Sequence, residues 1–228
     1  MNRIVARLGS KQHGDEGMTL VEVMVAVAVV AVVAISAGAL TINGLNTATF
    51  QENRQVAVTI ASGVMEGINA HSAAINGSSG VSDLLTGRSQ TDSQAAFSGN
   101  SSFTAVAKTY PTWDKSPVVT PPQTIPINNA LPITQGGTNF TTQTLIGLCY
   151  EPTTAAAAAL LTTGWDCVKL AGYAAAPATT PANFAPVLRV IVIVQWTSGL
   201  RCATAGSCSY VTTTLFDYHP DLEWISHG

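Results

Sequence analysis

Gly17-Met18-Thr19-Leu20-Val21-Glu22 is followed without a break by an apolar run from Val23 to about Ile42. Glu22 is the only charge between Glu16 and Glu52. The 25 residues from Met18 to Ile42 reach about 37 Å as a helix, at about 1.5 Å per residue. That exceeds a hydrocarbon core of about 30 Å. Valine dominates the run and is a mediocre helix former in water. A lone segment in lipid must satisfy its own backbone hydrogen bonds, which forces a helix. A carboxylate at the edge of such a segment is costly, roughly 2.5–3.5 kcal/mol at the bilayer centre on insertion scales. What compensates Glu22 is therefore the main question about function.

Working outward, the pattern changes but the helix does not stop. Phe50, Ala57, Ile60, Ala61, Val64 and Ile68 recur at spacings of three, four and seven, with Glu52, Arg54, Gln55, Glu66 and Asn69 mostly between them. This predicts an amphipathic helix over about 43–70. No proline interrupts residues 18–75, so one helix of about 50 residues is expected, apolar all round at first and one-sided later. On the other side, residues 1–17 are polar, basic at the start (Arg3, Arg7, Lys11), and read as a leader peptide.

Beyond residue 72 the sequence predicts an exported globular domain over 73–228. Residues 76–102 are rich in Ser, Gly, Asn and Gln and read as a loop, with a short helical piece near Val81–Leu85. Ser102–Tyr110 reads as a first strand, Pro111–Asn139 as extended loop, and Leu145–Tyr150 and Asp166–Leu170 as short strands. Thr154–Leu161 reads as a short helix, and residues 171–186 as irregular. Val187–Trp196 is apolar on both faces, as a central strand should be. Tyr210–Tyr218 is the second strong strand. The fold class is α+β: a long N-terminal helix packed on a C-terminal antiparallel sheet.

Cys149, Cys167, Cys202 and Cys208 all lie in the C-terminal half, without CxxC or zinc-type spacing. In an exported chain they are expected as two disulfides. Sequential pairing, Cys149–Cys167 and Cys202–Cys208, is preferred among the three connectivities; the second would pin the loop of a C-terminal hairpin.

Charged residues make up only 10% of the chain and the formal net charge is −3. A cut after Gly17 leaves seven basic and eleven acidic residues. There is no basic footprint for nucleic acid, and nothing points to a small-molecule ligand or a cofactor. The histidines (His13, His71, His219, His227) are scattered, and no G-x-S-x-G elbow occurs, so no enzyme is expected. Asp217, Asp221 and Glu223 read as a solvated acidic tail rather than a calcium site, and no metal is expected. Trp113, Trp165, Trp196 and Trp224 read as core and loop anchors. The triplets starting at Asn76, Asn100 and Asn139 are formal glycosylation sequons, common by chance in so Ser/Thr-rich a chain.

The junction resembles the type IV pilin and pseudopilin superfamily. Its members carry a short polar leader ending in Gly, then a residue such as Phe or Met, Thr, Leu, an aliphatic residue and Glu, then about twenty apolar residues. Gly17, Met18, Thr19, Leu20, Val21 and Glu22 match in order. The resemblance covers roughly residues 9–70. It implies cleavage between Gly17 and Met18 by a prepilin peptidase, and methylation of the new amine. That amine, with a reference pKa of about 7.7–8.0, is largely cationic. It would pair with Glu22 of a neighbouring subunit during assembly, and Thr19 would add a hydroxyl to the same cluster. The implied partners are the peptidase, the cytoplasmic membrane and other pilin subunits. The implied place is the cell membrane in a single pass, with the C-terminal domain outside the cytoplasm, then a pilus or pseudopilus.

Major pilins commonly carry glycine fourteen residues past the cut and proline twenty-two past it. Here those positions are Ala31 and Ala39. The departure points to a minor pilin. The alternatives are a minor pseudopilin of a type II secretion system and a membrane-anchored exported enzyme or binding module. An ordinary signal peptide is also possible on composition: an Arg3–Lys11 basic region, a Val23–Ile35 apolar core and an Ala37-Gly38-Ala39 cut. Against it, Asp15, Glu16 and Glu22 sit where such signals avoid acids.

Overall fold

The computed structural model describes residues 19–73, 84–115, 122–129, 132–161, 164–197, 202 and 207–217. The chain divides into two compact units, residues 1–49 and 50–228. One helix, α1 (Leu20–Ala73), contributes to both. It is followed by α2 (Gln90–Gly99), α3 (Thr104–Ala107), β1 (Tyr110–Pro111), β2 (Ile133–Gln135), β3 (Thr138–Pro152), α4 (Ala155–Ala159), β4 (Phe184–Thr197) and β5 (Ser207–Asp217). The fold is α+β: a long N-terminal helix and a five-stranded antiparallel sheet of order β1-β3-β4-β5, with β2 also paired to β3.

In the first unit α1 buries nothing. Its large apolar side chains from Leu20 to Leu45 are all exposed. Its most apolar 18-residue window has a mean hydropathy of 2.7 and is unburied throughout. Hydroxyls within and just beyond the run donate to the carbonyl four residues back: Ser36 to Val32 at 2.9 Å, Thr41 to Ala37 at 2.9 Å, Thr47 to Asn43 at 2.7 Å and Thr49 to Leu45 at 3.1 Å. These bonds hide polar groups that hydrocarbon could not satisfy.

In the second unit the same helix is one-sided. Ala57, Ala61 and Ile68 are buried in one cluster with Phe140 and Ile146 of β3 and Leu188, Val190, Val192, Val194 and Trp196 of β4. Phe50, Ile60 and Val64 pack at the margin. The opposite face of the sheet is also covered: Leu145, Ile191 and Ile193 pack with Phe97 of α2 and Val106 of α3. Alternate residues of β4 thus serve two cores, which is why the strand is apolar on both faces.

Several expected elements are different in the structure. Residues 90–99, read as loop, form α2. Ser89 caps it, its hydroxyl accepting from the Asp92 N–H at 3.1 Å, and only Ser93 and Phe97, four apart, are buried. So polar a helix has little periodic signal. Of the short helix expected near Val81–Leu85, residues 84–87 form a turn and 81–83 lie outside the described residues. Ser102–Tyr110 is not a strand. Its middle makes the single helical turn α3, with Ala107 N–H donating to the Phe103 carbonyl at 2.9 Å, and only Tyr110 and Pro111 join the sheet. Four residues are too few for periodicity to separate the two.

Pro111–Asn139 contains β2, turned onto β3 by Gly136 and Gly137 at φ +57° and +76°. Positive φ at both central residues is what a two-residue hairpin turn requires. The strand expected over Leu145–Tyr150 runs from Thr138 to Pro152, pairing with β4 from Phe140 to Pro152. Its polar first half is rich in threonine, which suits a strand without looking apolar. Asp166–Leu170 makes one bridge only, Val168 to Tyr150. The Cys167 carbonyl is instead taken by the Arg189 guanidinium at 2.6 Å.

The Ala-rich helix is present as α4, capped by the Thr154 hydroxyl. The two strong C-terminal strands are present as β4 and β5, β4 starting three residues earlier than expected. Tyr218 lies outside the described residues. Gly147 is required by close approach: a Cβ there would collide with the Tyr110 carbonyl oxygen and lie 2.7 Å from the Phe97 ring.

Candidate functional site

The N-terminal junction is built by the start of α1. Thr19 precedes the first helical residue, Leu20. Its hydroxyl oxygen accepts from the Glu22 backbone N–H at 3.3 Å, and its carbonyl accepts from Glu22 and Val23 at 3.0 and 3.2 Å. Thr19 is therefore the helix N-cap, and Glu22 stands three positions on, the spacing of a capping box. A carboxylate in the first turn is also favoured by the helix dipole. Glu22 is exposed. Thr19, expected to contribute a hydroxyl between subunits, thus already uses its oxygen within its own chain, and its hydroxyl proton remains able to donate. Gly17 and Met18 lie outside the described residues. By sequence, Met18 alone separates the bond between them from the cap.

Residues 13–38 match the family described as the prokaryotic N-terminal methylation motif. The chain carries the type IV pilin and pseudopilin signature. The match contains the whole junction from Gly17 to Glu22 and most of the apolar run. It supports a type IV pilin-like or pseudopilin protein, and through it peptidase processing and assembly in the membrane. Among curated proteins and solved structures, none matches the chain. The pilin-like helix is consistent with a single-pass membrane anchor.

The second unit holds a set of clamps. Cys149 is bonded to Cys167 and Cys202 to Cys208, with Cα separations of 5.4 and 4.8 Å. The first staples an excursion between β3 and β4; the second closes the β4–β5 connection. Two buried arginines, which the sequence reading passed over, tie the rest together. Arg189, inside the apolar run of β4, donates to the Thr109 hydroxyl at 3.2 Å, the Cys167 carbonyl at 2.6 Å and the Asp166 carboxylate at 3.4 Å. Burial pulls its pKa down, against the carboxylates of Asp166 and Glu151. Asp166 is bridged by Lys108 as well, and that hydrogen bond, with the two nearby cations, holds its carboxyl below the usual range.

Arg88 donates to the Ile125 and Thr144 carbonyls at 3.1 and 3.0 Å, and burial pushes its pKa down to about 9. A signal for Arg189 was visible: a cation inside a central strand must find partners. For Arg88, in a polar stretch, no such signal exists.

Among the described residues no group of three His, Cys, Asp or Glu side chains could hold a metal ion. His71 is exposed in the last turn of α1. Asp217 ends β5, while Asp221 and Glu223 lie outside the described residues. Of the sequons, Asn100 is buried, its amide donating to the Ala96 carbonyl and to Gln143, whereas Asn139 is exposed on β3. Trp196 is buried against Phe140, and Trp113 is half-buried. Trp165 is not a core anchor: it is 62% exposed. Trp224 lies outside the described residues.

Proposed function

We propose that the chain is a minor pilin-like structural subunit of a type IV pilus-type filament, cleaved after Gly17 and assembled through its N-terminal helix. The observation that carries this is the capped junction Thr19–Glu22 at the head of an unbroken helix whose apolar run from Leu20 to Leu45 is exposed. Such a helix needs an apolar surrounding, first lipid and then other subunits. The new α-amino group on Met18 supplies a cation to Glu22, which pairs with none among the described residues. Removing two charges from water is tolerable only when they pair, so the pair also sets the stagger between neighbouring subunits. The role is structural and not catalytic.

Ala31 and Ala39 support the minor role. α1 is continuous through both, with no proline to interrupt its hydrogen bonds. A helix of this kind has less reason to melt inside a filament and suits an initiating or tip subunit. Before assembly it rests in the cytoplasmic membrane, with the sheet domain outside the cytoplasm.

The test is the mature N-terminus, determined by mass spectrometry on protein from native membranes with and without the prepilin peptidase. A start at Met18, one methyl group heavier and dependent on the peptidase, is expected. A start at Leu40 would make the segment an ordinary signal peptide, and retention of Met1 an uncleaved anchor.

A further inference from the structure

The two edges of the sheet differ. The outer edge of β3 is taken along most of its length. β1 pairs with it at Gly147 and Leu148, and β2 from Thr138 to Phe140. Between them the Asn129 N–H donates to the Thr142 carbonyl at 3.0 Å, and the Thr144 N–H to the Ile127 carbonyl at 2.8 Å. The outer edge of β5 is paired with no strand among the described residues. β5 is 11 residues long, holds no proline, and its only charge is Asp217 at the last position. Its register with β4 is unbroken from Ser207 to Asp217, so it has no bulge. Leu215 on it is 43% exposed. Edge strands that face water are ordinarily short, or carry charges, prolines or bulges, because a bare row of N–H and C=O groups recruits other chains. β5 lacks all of these along its length.

The missing devices stand in the stretch of sequence that follows. Residues 218–228 lie outside the described residues. Their sequence, YHPDLEWISHG, holds Pro220, Asp221 and Glu223. Pro220 fits the second position of a type I turn over 219–222, the turn around which four-residue hairpin loops are most often built. A reversal there brings residues 223–228 antiparallel against 213–218. Ile225 then stands opposite Phe216, and Trp224 one diagonal step from Leu215, a separation that an aromatic side chain spans. Asp221 and Glu223 put charge at the turn and on the new edge, where edges ordinarily carry it. We propose that residues 223–228 form a sixth strand on β5 and so close the open edge of the sheet. The segment is joined to β5 by one tight turn, so closing that loop costs less entropy than bringing up any more distant part of the chain. The inference does not depend on how the N-terminal helix assembles.

The test is amide hydrogen exchange, resolved by residue, on the full chain in detergent micelles and on a chain stopped after Asp217. Alternate β5 amides donate to β4 and the rest point outward. In the full chain both sets should be protected over residues 213–217. In the shortened chain the outward set there should exchange about tenfold faster or more, with the β4-facing set and residues 207–210 unchanged. Ile225→Pro and Ser226→Pro in the full chain give a second reading. Neighbouring N–H groups of a strand point opposite ways, so one proline should release the outward set and the other should not. Outward amides over 213–217 that exchange freely in the full chain, or that do not respond to shortening, overturn the proposal, as do equal effects of the two prolines. So does protection that falls on dilution, which would give this edge to a second copy of the chain.

Discussion

The first 30 residues of α1 and the last 24 are one helix by backbone and two different objects by side chain. From Leu20 to Thr49 the large apolar side chains have no partner within the unit that holds them; from Phe50 onward Ala57, Ala61 and Ile68 are wholly buried. The difference teaches that apolarity alone does not say where a helix finds its surroundings. All-round apolarity calls for an external phase, whereas a stripe calls for a sheet of the same chain. The single carboxylate of the first region fits this: no cation among the described residues pairs with it, while the carboxylate of Asp166 in the second region has two cations on it.

Four measurements break or sharpen the contrast. The largest effect is expected from Glu22→Ala. Filaments should be lost in electron micrographs of cells, while the stability of the purified chain changes by less than about 1 kcal/mol, the scale of a first-turn charge on an exposed helix end, if Glu22 pairs between molecules as proposed. Normal assembly would remove the intermolecular pair from the account. Next, Ile68→Ala should destabilise the chain by about 3 kcal/mol in denaturant unfolding, the usual loss for a buried isoleucine. Val33→Ala, equally apolar but exposed, should change it by less than about 0.5 kcal/mol. Similar losses at both sites would erase the distinction between the two halves of α1.

Third, replacing Cys149 and Cys167 together by alanine should lower stability by about 3 kcal/mol, and replacing Cys202 and Cys208 by about 2 kcal/mol, since the longer loop gains more from closure. Unchanged unfolding in dithiothreitol would contradict both. The smallest effect is acid-dependent. Asp166 has a lowered folded pKa, so its contribution is present above its unfolded value, about 3.9, and is lost as pH falls through the folded one. The difference in melting temperature between wild type and Asp166→Asn should therefore shrink steadily below about pH 4. A difference independent of pH would mean that the carboxylate charge is not what holds the 164–168 segment.

What was legible in the sequence tracks how local the causes are. The long helix, its change from all-round to one-sided apolarity, the Gly17–Glu22 junction and the two strands β4 and β5 follow from hydropathy period and chain order. α2 was illegible because one capping serine and one buried phenylalanine carry it. The first half of β3 was illegible because threonine and asparagine pair as well as valine once a partner strand is present. Arg189 was overlooked inside VLRVIVIVQW, although a charge in that company has only one tolerable environment, a ring of acceptors.

By itself, then, the sequence determined that an unbroken apolar helix follows the Gly17–Glu22 junction with one carboxylate at its start, because hydropathy and chain order are properties of neighbouring residues. Only the tertiary structure decided which faces of β4 meet α1 and which meet Phe97 and Val106, which carbonyls Arg88 and Arg189 reach, and that Trp165 is left facing water. Those outcomes depend on residues tens of positions apart, and for α1 and β4 more than a hundred, being brought together, and no local pattern encodes such distances.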